Sequence, residues 1–396
     1  MKLLLEYLIV FWAIASSGAV LFLGYNYETL AIFVLILAIY FTAFNHRLRL
    51  KTGYVGIALL AMVMLLIAML VNNDSAFQLK YFSIIFRIIL LATIPLAIRP
   101  HKFLKIYSEI MYIIAMLSLI IYVIILLNTG IIDAFGEIAA YGNRQYKNLY
   151  FLVIRLPVAN FVRNSSIFWE GGAYQAFLVI ALAFELHLYR YSRKHRVLLL
   201  SVSIFTTFST TGFILFLLLI FTESIGRHDS VRQKIMKVGT MITLVAVIIS
   251  TVTFNRVVVE KFNLENTSFA VRVASTATDI EIFKGSPLFG VGHKRYNNLV
   301  EVKSWNDYGI FLSGSVNSFT QYMAQYGIIN LAILLMLYGL MVKSIPKITT
   351  LQKFNISVGI LIIFATQNFI VSFIWLEFAL LGLYNRQRNF MERGPK

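Results

Sequence analysis

Runs of about 20 mostly apolar residues, the length that carries a helix across a bilayer, recur along this chain, and the charged residues collect between them. Clear runs occupy 3–23, 29–44, 53–71, 81–98, 104–128, 168–188, 238–254 and 317–342, while two longer ones, 197–222 and 356–385, are interrupted by polar residues. A soluble enzyme is excluded, because 59% hydrophobic against 13% charged residues leaves too few polar side chains to cover its surface. Disorder is excluded by the same excess. The fold class is therefore all-α: a polytopic integral membrane protein, read as a single transmembrane domain over 1–396. The chain has no cysteine, which rules out disulfides, thiolate catalysis and cysteine-bound metals.

Lysines and arginines on short connections favour the cytoplasm. Arg47, Arg49 and Lys51, then Arg99, Lys102 and Lys105, then Arg190, Arg193, Lys194 and Arg196 mark cytoplasmic connections, whereas 72–80 holds only Lys80. The run 197–222 is basic on both flanks, with Arg227, Arg232, Lys234 and Lys237 after it, so it must turn back as a hairpin at Ser209-Thr210-Thr211-Gly212. The last run lies between Lys343, Lys347 and Lys353 and Arg386, Arg388 and Arg393, and would turn near Thr366-Gln367-Asn368. This gives about 12 transmembrane helices, including two short hairpins, with both termini cytoplasmic. Short hairpin helices belong among other helices. The first run continues through Leu23 and reads as a retained helix rather than a cleaved leader. The alternative has each interrupted run cross once, which places 223–237 outside.

Two long connections, 129–167 and 255–316, then form outer loops. Residues 149–162 are apolar but too short to span, are broken by Arg155 and Pro157, and read as interfacial or re-entrant. The net charge of +17 does not point to nucleic acid in such a chain. Most of it orients the protein and touches anionic lipid. Arg144, Arg155, Arg163, Arg272 and Arg295 lie on the long outer loops, where orientation does not require them. Most would be solvated or touch lipid phosphates, and a minority would bind an anion, with arginine suited to bidentate diphosphate contacts. Arg87 stands six residues beyond Tyr81 inside its run, roughly 9 Å deep at the helical rise. It either serves function as an intramembrane charge or snorkels to the surface. Glu6 and Glu185 lie near cytoplasmic helix ends and read as structural, while deeper Glu377 is a pairing or gating candidate. Gly290-Val291-Gly292 lacks the third glycine and the strand–helix setting of a nucleotide loop and reads as a turn after Pro287.

Four patterns occur in a fixed order: Arg163-Asn-Ser-Ser-Ile-Phe-Trp-Glu170-Gly171-Gly172 entering a helix; Phe208-Ser209-Thr210-Thr211-Gly212 at a hairpin tip; Val271-Arg272-Val273 followed by Pro287-Leu288-Phe289-Gly290-Val291-Gly292; and Asn317-Ser-Phe followed by Gln325-Tyr326-Gly327-Ile328-Ile329. This order resembles the bacterial O-antigen polymerase and ligase superfamily, from about Arg163 to about Leu331. The Pro-Leu-Phe-Gly-Val-Gly run is its most specific part, and the first 160 residues match only in hydropathy. The chain departs from the family pattern at Gly171, where proline is usual, at Thr210, where many members have arginine, and at Val316, where ligases have the histidine that serves as base. The last departure favours polymerase over ligase.

The resemblance implies a glycosyltransferase of the GT-C-type bundle in the bacterial inner (plasma) membrane. It would act on undecaprenyl-diphosphate-linked glycans at the outer face, with a chain-length regulator and a flippase as partners. The leaving diphosphate is already activated, so the enzyme must stabilise its charge and position an acceptor hydroxyl. Arg272, then Arg163 and Arg87, are the diphosphate candidates. Glu170, or else His293, the one histidine on the outer side, would be the general base. For Glu170 the structural alternative is a helix cap or a salt bridge with Arg163. Asn317 would orient a sugar or phosphate, or cap its helix. No cofactor is expected, and no metal, because guanidinium groups can supply the positive charge.

The same-class alternative is an O-antigen ligase transferring glycan to a lipid A core. A flippase or transporter would show internal pseudo-symmetry and a charged central path, and an O-acyltransferase would need a histidine near the outer membrane plane, where only His187 comes close and at the wrong end. A topology reporter fused after Arg232 is expected to read cytoplasmic. An outer-side signal there would replace the hairpin by a single crossing.

Overall fold

The computed structural model describes residues 1–22, 26–44, 52–72, 78–140, 144–156, 162–187, 193–224, 232–233, 236, 267–312, 314–345 and 348–381. Among them the helices are α1 (Lys2–Ala15), α2 (Asn26–Phe44), α3 (Thr52–Val71), α4 (Gln78–Ala97), α5 (Pro100–Leu127), α6 (Gly171–His187), α7 (Lys194–Thr206), α8 (Thr210–Ser224), α9 (Thr267–Lys284), α10 (His293–Tyr308), α11 (Ser318–Ser344) and α12 (Thr350–Thr366), followed by a helical segment over 373–381. The span read over 238–254, and the basic residues Arg47, Arg190, Arg227, Arg256 and Arg386, lie outside the described residues.

Pro100–Leu127 and Ser318–Ser344 are long and apolar enough to cross a membrane, and shorter apolar helices include Glu28–Phe44, Tyr81–Ala97 and Gly171–His187. Leu35, Ile39, Leu60, Phe86, Ile89 and Ile120 face outward, an arrangement that suits hydrocarbon rather than water. Almost every residue of α6 is buried, which makes it the centre of the bundle. It packs against α5, α7, α8 and α12.

The two ends of α6 differ in chemistry. At its C-terminal end the charges pair: Arg193 and Arg196 reach Glu109 at 3.4 and 3.6 Å, and Arg196 reaches Glu185 at 3.6 Å. Tyr7 donates to Glu109, Ser108 to Glu185, and Lys102 pairs with Glu6. His187 meets Glu223, which also accepts from Gln352 at 2.9 Å. These bonds tie α1, α5, α6, α7, α8 and α12 together, the structural part expected of Glu6 and Glu185.

At the other end the expected first span is shorter than read. Helix α1 stops at Ala15, and Val20–Phe22 forms a 3-10 turn. The reason is a close packing. Ser17 Oγ donates to Ala13 O and accepts from Ile374 N at 2.8 Å, and Val20 N donates to Ile167 O at 2.9 Å. A Cβ on Gly18 would lie 2.7 Å from the Trp169 ring. A residue with a side chain here would push away the segment that carries Glu170.

The connection between α5 and α6 adds a small sheet to this mostly helical chain, which the all-α reading did not include. Glu137–Ala140, Arg144–Asn148 and Val153–Arg155 form an antiparallel sheet (β1 to β3), with Ile138 opposite Tyr146 and Lys147 opposite Ile154. Leu149, Leu152 and Ile154 bury against Tyr122, Ile125 and Ile132 in a small core of their own, while Tyr150 and Phe151 stay exposed. Residues 157–161 are outside the described set.

The stretch before α11 carries α9 and α10, which share a core with Leu312 and Ala324. Helix α11 is broken at Gly327, whose φ is 82°. The Pro287–Gly292 run fits into that break: Ile328 N donates to Pro287 O at 2.9 Å, Val291 N to Ala324 O at 2.9 Å and Gly292 N to Gln325 O at 3.1 Å. Asn72 at the end of α3 donates to Phe289 O at 3.1 Å. A Cβ on Gly327 would sit 2.1 Å from Leu288 O, and one on Gly290, with φ +70°, 2.4 Å from Gln325 O. The turn after Pro287 is therefore also an interlock of two backbones. Gly327→Ala is expected to lose at least about 1–3 kcal/mol from the backbone conformation alone, with a further cost from the clash, read as a lower melting temperature of the purified protein. Unchanged melting would mean that the interlock does not hold the fold.

Candidate active site

Glu170 ends the first pattern at the entry to α6. Its backbone carbonyl accepts from Ala173 N and Tyr174 N, both at 3.1 Å, which starts the helix. The side chain is half-buried, and its Oε1 accepts from Gln367 Nε2 at 2.8 Å. Gln367 follows α12, and its carbonyl accepts from Ser318 Oγ, which in turn accepts from Phe369 N at 2.8 Å. The entries to α6 and α11 and the break after α12 therefore meet at Glu170. No ion pair joins Glu170 to Arg163 among the described residues; the expected salt bridge is replaced by the amide of Gln367.

The hairpin tip is part of the same end. Asn164 N donates to Thr206 O at 3.0 Å and its side chain to Thr206 Oγ1 at 3.1 Å. A Cβ on Gly171 would lie 2.6 Å from Thr207 O, so the proline usual at this position is not accommodated without a shift. On Gly212 it would meet the buried Gln175 side chain at 3.2 Å. Small residues at 171 and 212 let the tip close onto α6.

Asn317 caps α11: its Oδ1 accepts from Phe319 N at 3.0 Å and Thr320 N at 3.3 Å. Of its two expected roles the structure shows the capping one. Arg272 lies half-buried on α9. His293 opens α10, immediately after the Gly292 contact with Gln325. Arg163 is exposed in the stretch before Glu170. Arg87 turns inward on α4, with its guanidinium 5.1 Å from the centre of the buried Phe373 ring and its Nε buried without a hydrogen-bond partner among the described residues. It is thus held inside the bundle by a cation–π contact rather than snorkelling into lipid. Glu377 is fully buried, and neither of its carboxylate oxygens has a hydrogen-bond partner among the described residues.

Two residues that sequence reasoning did not single out complete the site. One is Gln367, read there only as part of a helix break. The other is Asp279 on α9, which is fully buried. Tyr296 Oη donates to its Oδ1 at 2.7 Å and Thr320 Oγ1 to its Oδ2 at 2.6 Å. Burial pushes the Asp279 carboxyl up to about 6, and the hydrogen bonds from Thr320, Tyr296 and Ser315 pull it part-way back. Burial also holds the Tyr296 hydroxyl well above its ordinary range, so it remains a donor. The only local signal for Asp279 is its spacing from Arg272, seven residues and hence one helix face.

Residues 196–335 match the O-antigen ligase family. This match supports the resemblance to the O-antigen polymerase and ligase superfamily. The match runs from α7 through the interlock into α11 and includes Arg272, Asp279, His293 and Asn317. Glu170 and Gln367 lie outside the matched residues and meet them through Ser318. The family takes in both polymerases and ligases of O-antigen, and together with the apolar helices it marks a membrane protein. No curated protein matches the chain.

Glu170→Gln keeps an oxygen for the Gln367 amide but removes the charge. If Glu170 is the base, transfer activity is expected to fall by roughly 10²- to 10⁴-fold with an unchanged melting temperature. Full activity would leave Glu170 a positioning group for the α12 break.

Proposed function

We propose that this protein is a polymerase that joins undecaprenyl-diphosphate-linked oligosaccharide repeat units into a polysaccharide at the outer face of the bacterial inner membrane. The observation that carries the reading is the convergence of a carboxylate, Glu170, with the α11 entry of the O-antigen ligase-family domain, at the end of the bundle opposite the paired charges. The growing glycan is transferred from its carrier to a hydroxyl of the incoming lipid-linked unit. The acceptor oxygen bonds to the anomeric carbon, the bond from that carbon to the diphosphate oxygen breaks, and undecaprenyl diphosphate departs. The hydroxyl proton passes to a base, for which Glu170 is the first candidate and His293 the second. Only Oε1 of Glu170 is held by Gln367 among the described residues, so the other carboxylate oxygen can take a proton.

Arg272, with Arg163 and Arg87, would stabilise the charge developing on the diphosphate. In this reading no metal is needed, and membrane lipid, a chain-length regulator and a flippase are the working partners.

A ligase that passes glycan to a lipid A core is the second reading, favoured by the name of the matched family. Val316 stands where the ligases have their base, which is why polymerase comes first. The two differ in what a deletion strain accumulates. A polymerase deletion leaves glycans of one repeat, whereas a ligase deletion leaves unattached polymer. Arg272→Ala, expressed in the deletion strain, is expected to restore single-repeat product only. Long chains of normal distribution from that variant would remove Arg272 from the site.

A further inference from the structure

Asp279 is an ionisable group buried where α9, α10 and α11 meet. Thr320, three residues past the Asn317 cap, donates to it at 2.6 Å, and Ser315 Oγ accepts from Asn317 N at 3.2 Å. Asn317 Oδ1 in turn holds Thr320 N. The first turn of α11 is thereby tied to one carboxylate, and Tyr296 brings α10 to the same point. A neutral side chain would join these helices without the cost of a buried charge. What the charge adds is two strong, directional bonds, one from α10 and one from α11, which set both the rotation and the height of α9.

Arg272 stands seven residues before Asp279. Seven residues turn a helix almost two full turns, so the two side chains share one face, roughly 10 Å apart along the axis. A rotation of α9 that re-aims Asp279 re-aims Arg272 by the same angle.

We propose that Asp279 is a positioning residue that aims Arg272 at the diphosphate of the lipid-linked substrate, a role that rests on the functional reading above.

The test measures binding of undecaprenyl diphosphate, without a glycan, to the purified full chain. Asp279→Asn and Arg272→Lys are each expected to weaken binding by at least about tenfold, the size of one lost charge-assisted contact. The double variant should bind no more weakly than Arg272→Lys alone, because Asp279 acts only through Arg272. Equal affinity of Asp279→Asn and wild type overturns the proposal, and so do losses that multiply in the double variant, since a general weakening of the fold would be additive. Where Asp279→Asn does not fold, Thr320→Val removes a single bond to the same carboxylate and is judged by the same criteria. Glycan transfer is then assayed with lipid-linked repeat units extracted from the deletion strain. A wild-type chain that binds the diphosphate but transfers no glycan sinks the polymerase reading and leaves the aiming of Arg272 by Asp279 standing.

Discussion

The structure depends on how a broken membrane helix is repaired. Helix α11 cannot continue its own hydrogen-bond ladder through Gly327, and unpaired backbone groups at such a depth are costly. The Pro287–Gly292 segment supplies partners for residues on both sides of the break. The exchange works only because Gly290 and Gly327 have no Cβ where two backbones approach. This single repair attaches α9 and α10 to the bundle, and so decides where Arg272, Asp279 and His293 can stand.

The remaining parts of the site are fixed by the same logic of close approach. Gly18 admits Trp169, and Gly171 admits the hairpin tip at Thr207. Helix α6, buried nearly all round, carries the result: a partly buried carboxylate at one end and a network of paired charges at the other. The paired end needs no function beyond stability, since every carboxylate there has a basic or hydroxyl partner. At the Glu170 end the partner is an amide, which holds the carboxylate without neutralising it.

Hydropathy located most of the helices, because a 20-residue apolar run has few other ways to satisfy its backbone in lipid. It overran the end of α1 and gave no sign of the strands over 144–155. In both places some apolar side chains pack against other protein segments, and an apolar residue looks the same in sequence whichever it touches. The site divides in a similar way. The order of motifs placed the domain, and Glu170 and Arg272 stood out as charged residues at odds with their surroundings. Asp279 did not, because its partners Tyr296 and Thr320 are 17 and 41 residues away, and Gln367 is 197 residues from Glu170. Asn317 was visible as a possible cap or ligand, and the geometry of its Oδ1 shows the cap.

By itself, the sequence determined a mostly helical membrane protein and a likeness to the O-antigen polymerase and ligase superfamily that residues 196–335 bear out, because composition and local motif order survive without knowledge of contacts. The tertiary structure decided that the glycine motif is a backbone interlock, that Arg87 faces a phenylalanine inside the bundle, and that a carboxylate no motif contains ties α9, α10 and α11 together. Those facts are distances between residues far apart in the chain. Burial and hydrogen bonding act on distances, so they appear only once the chain is folded.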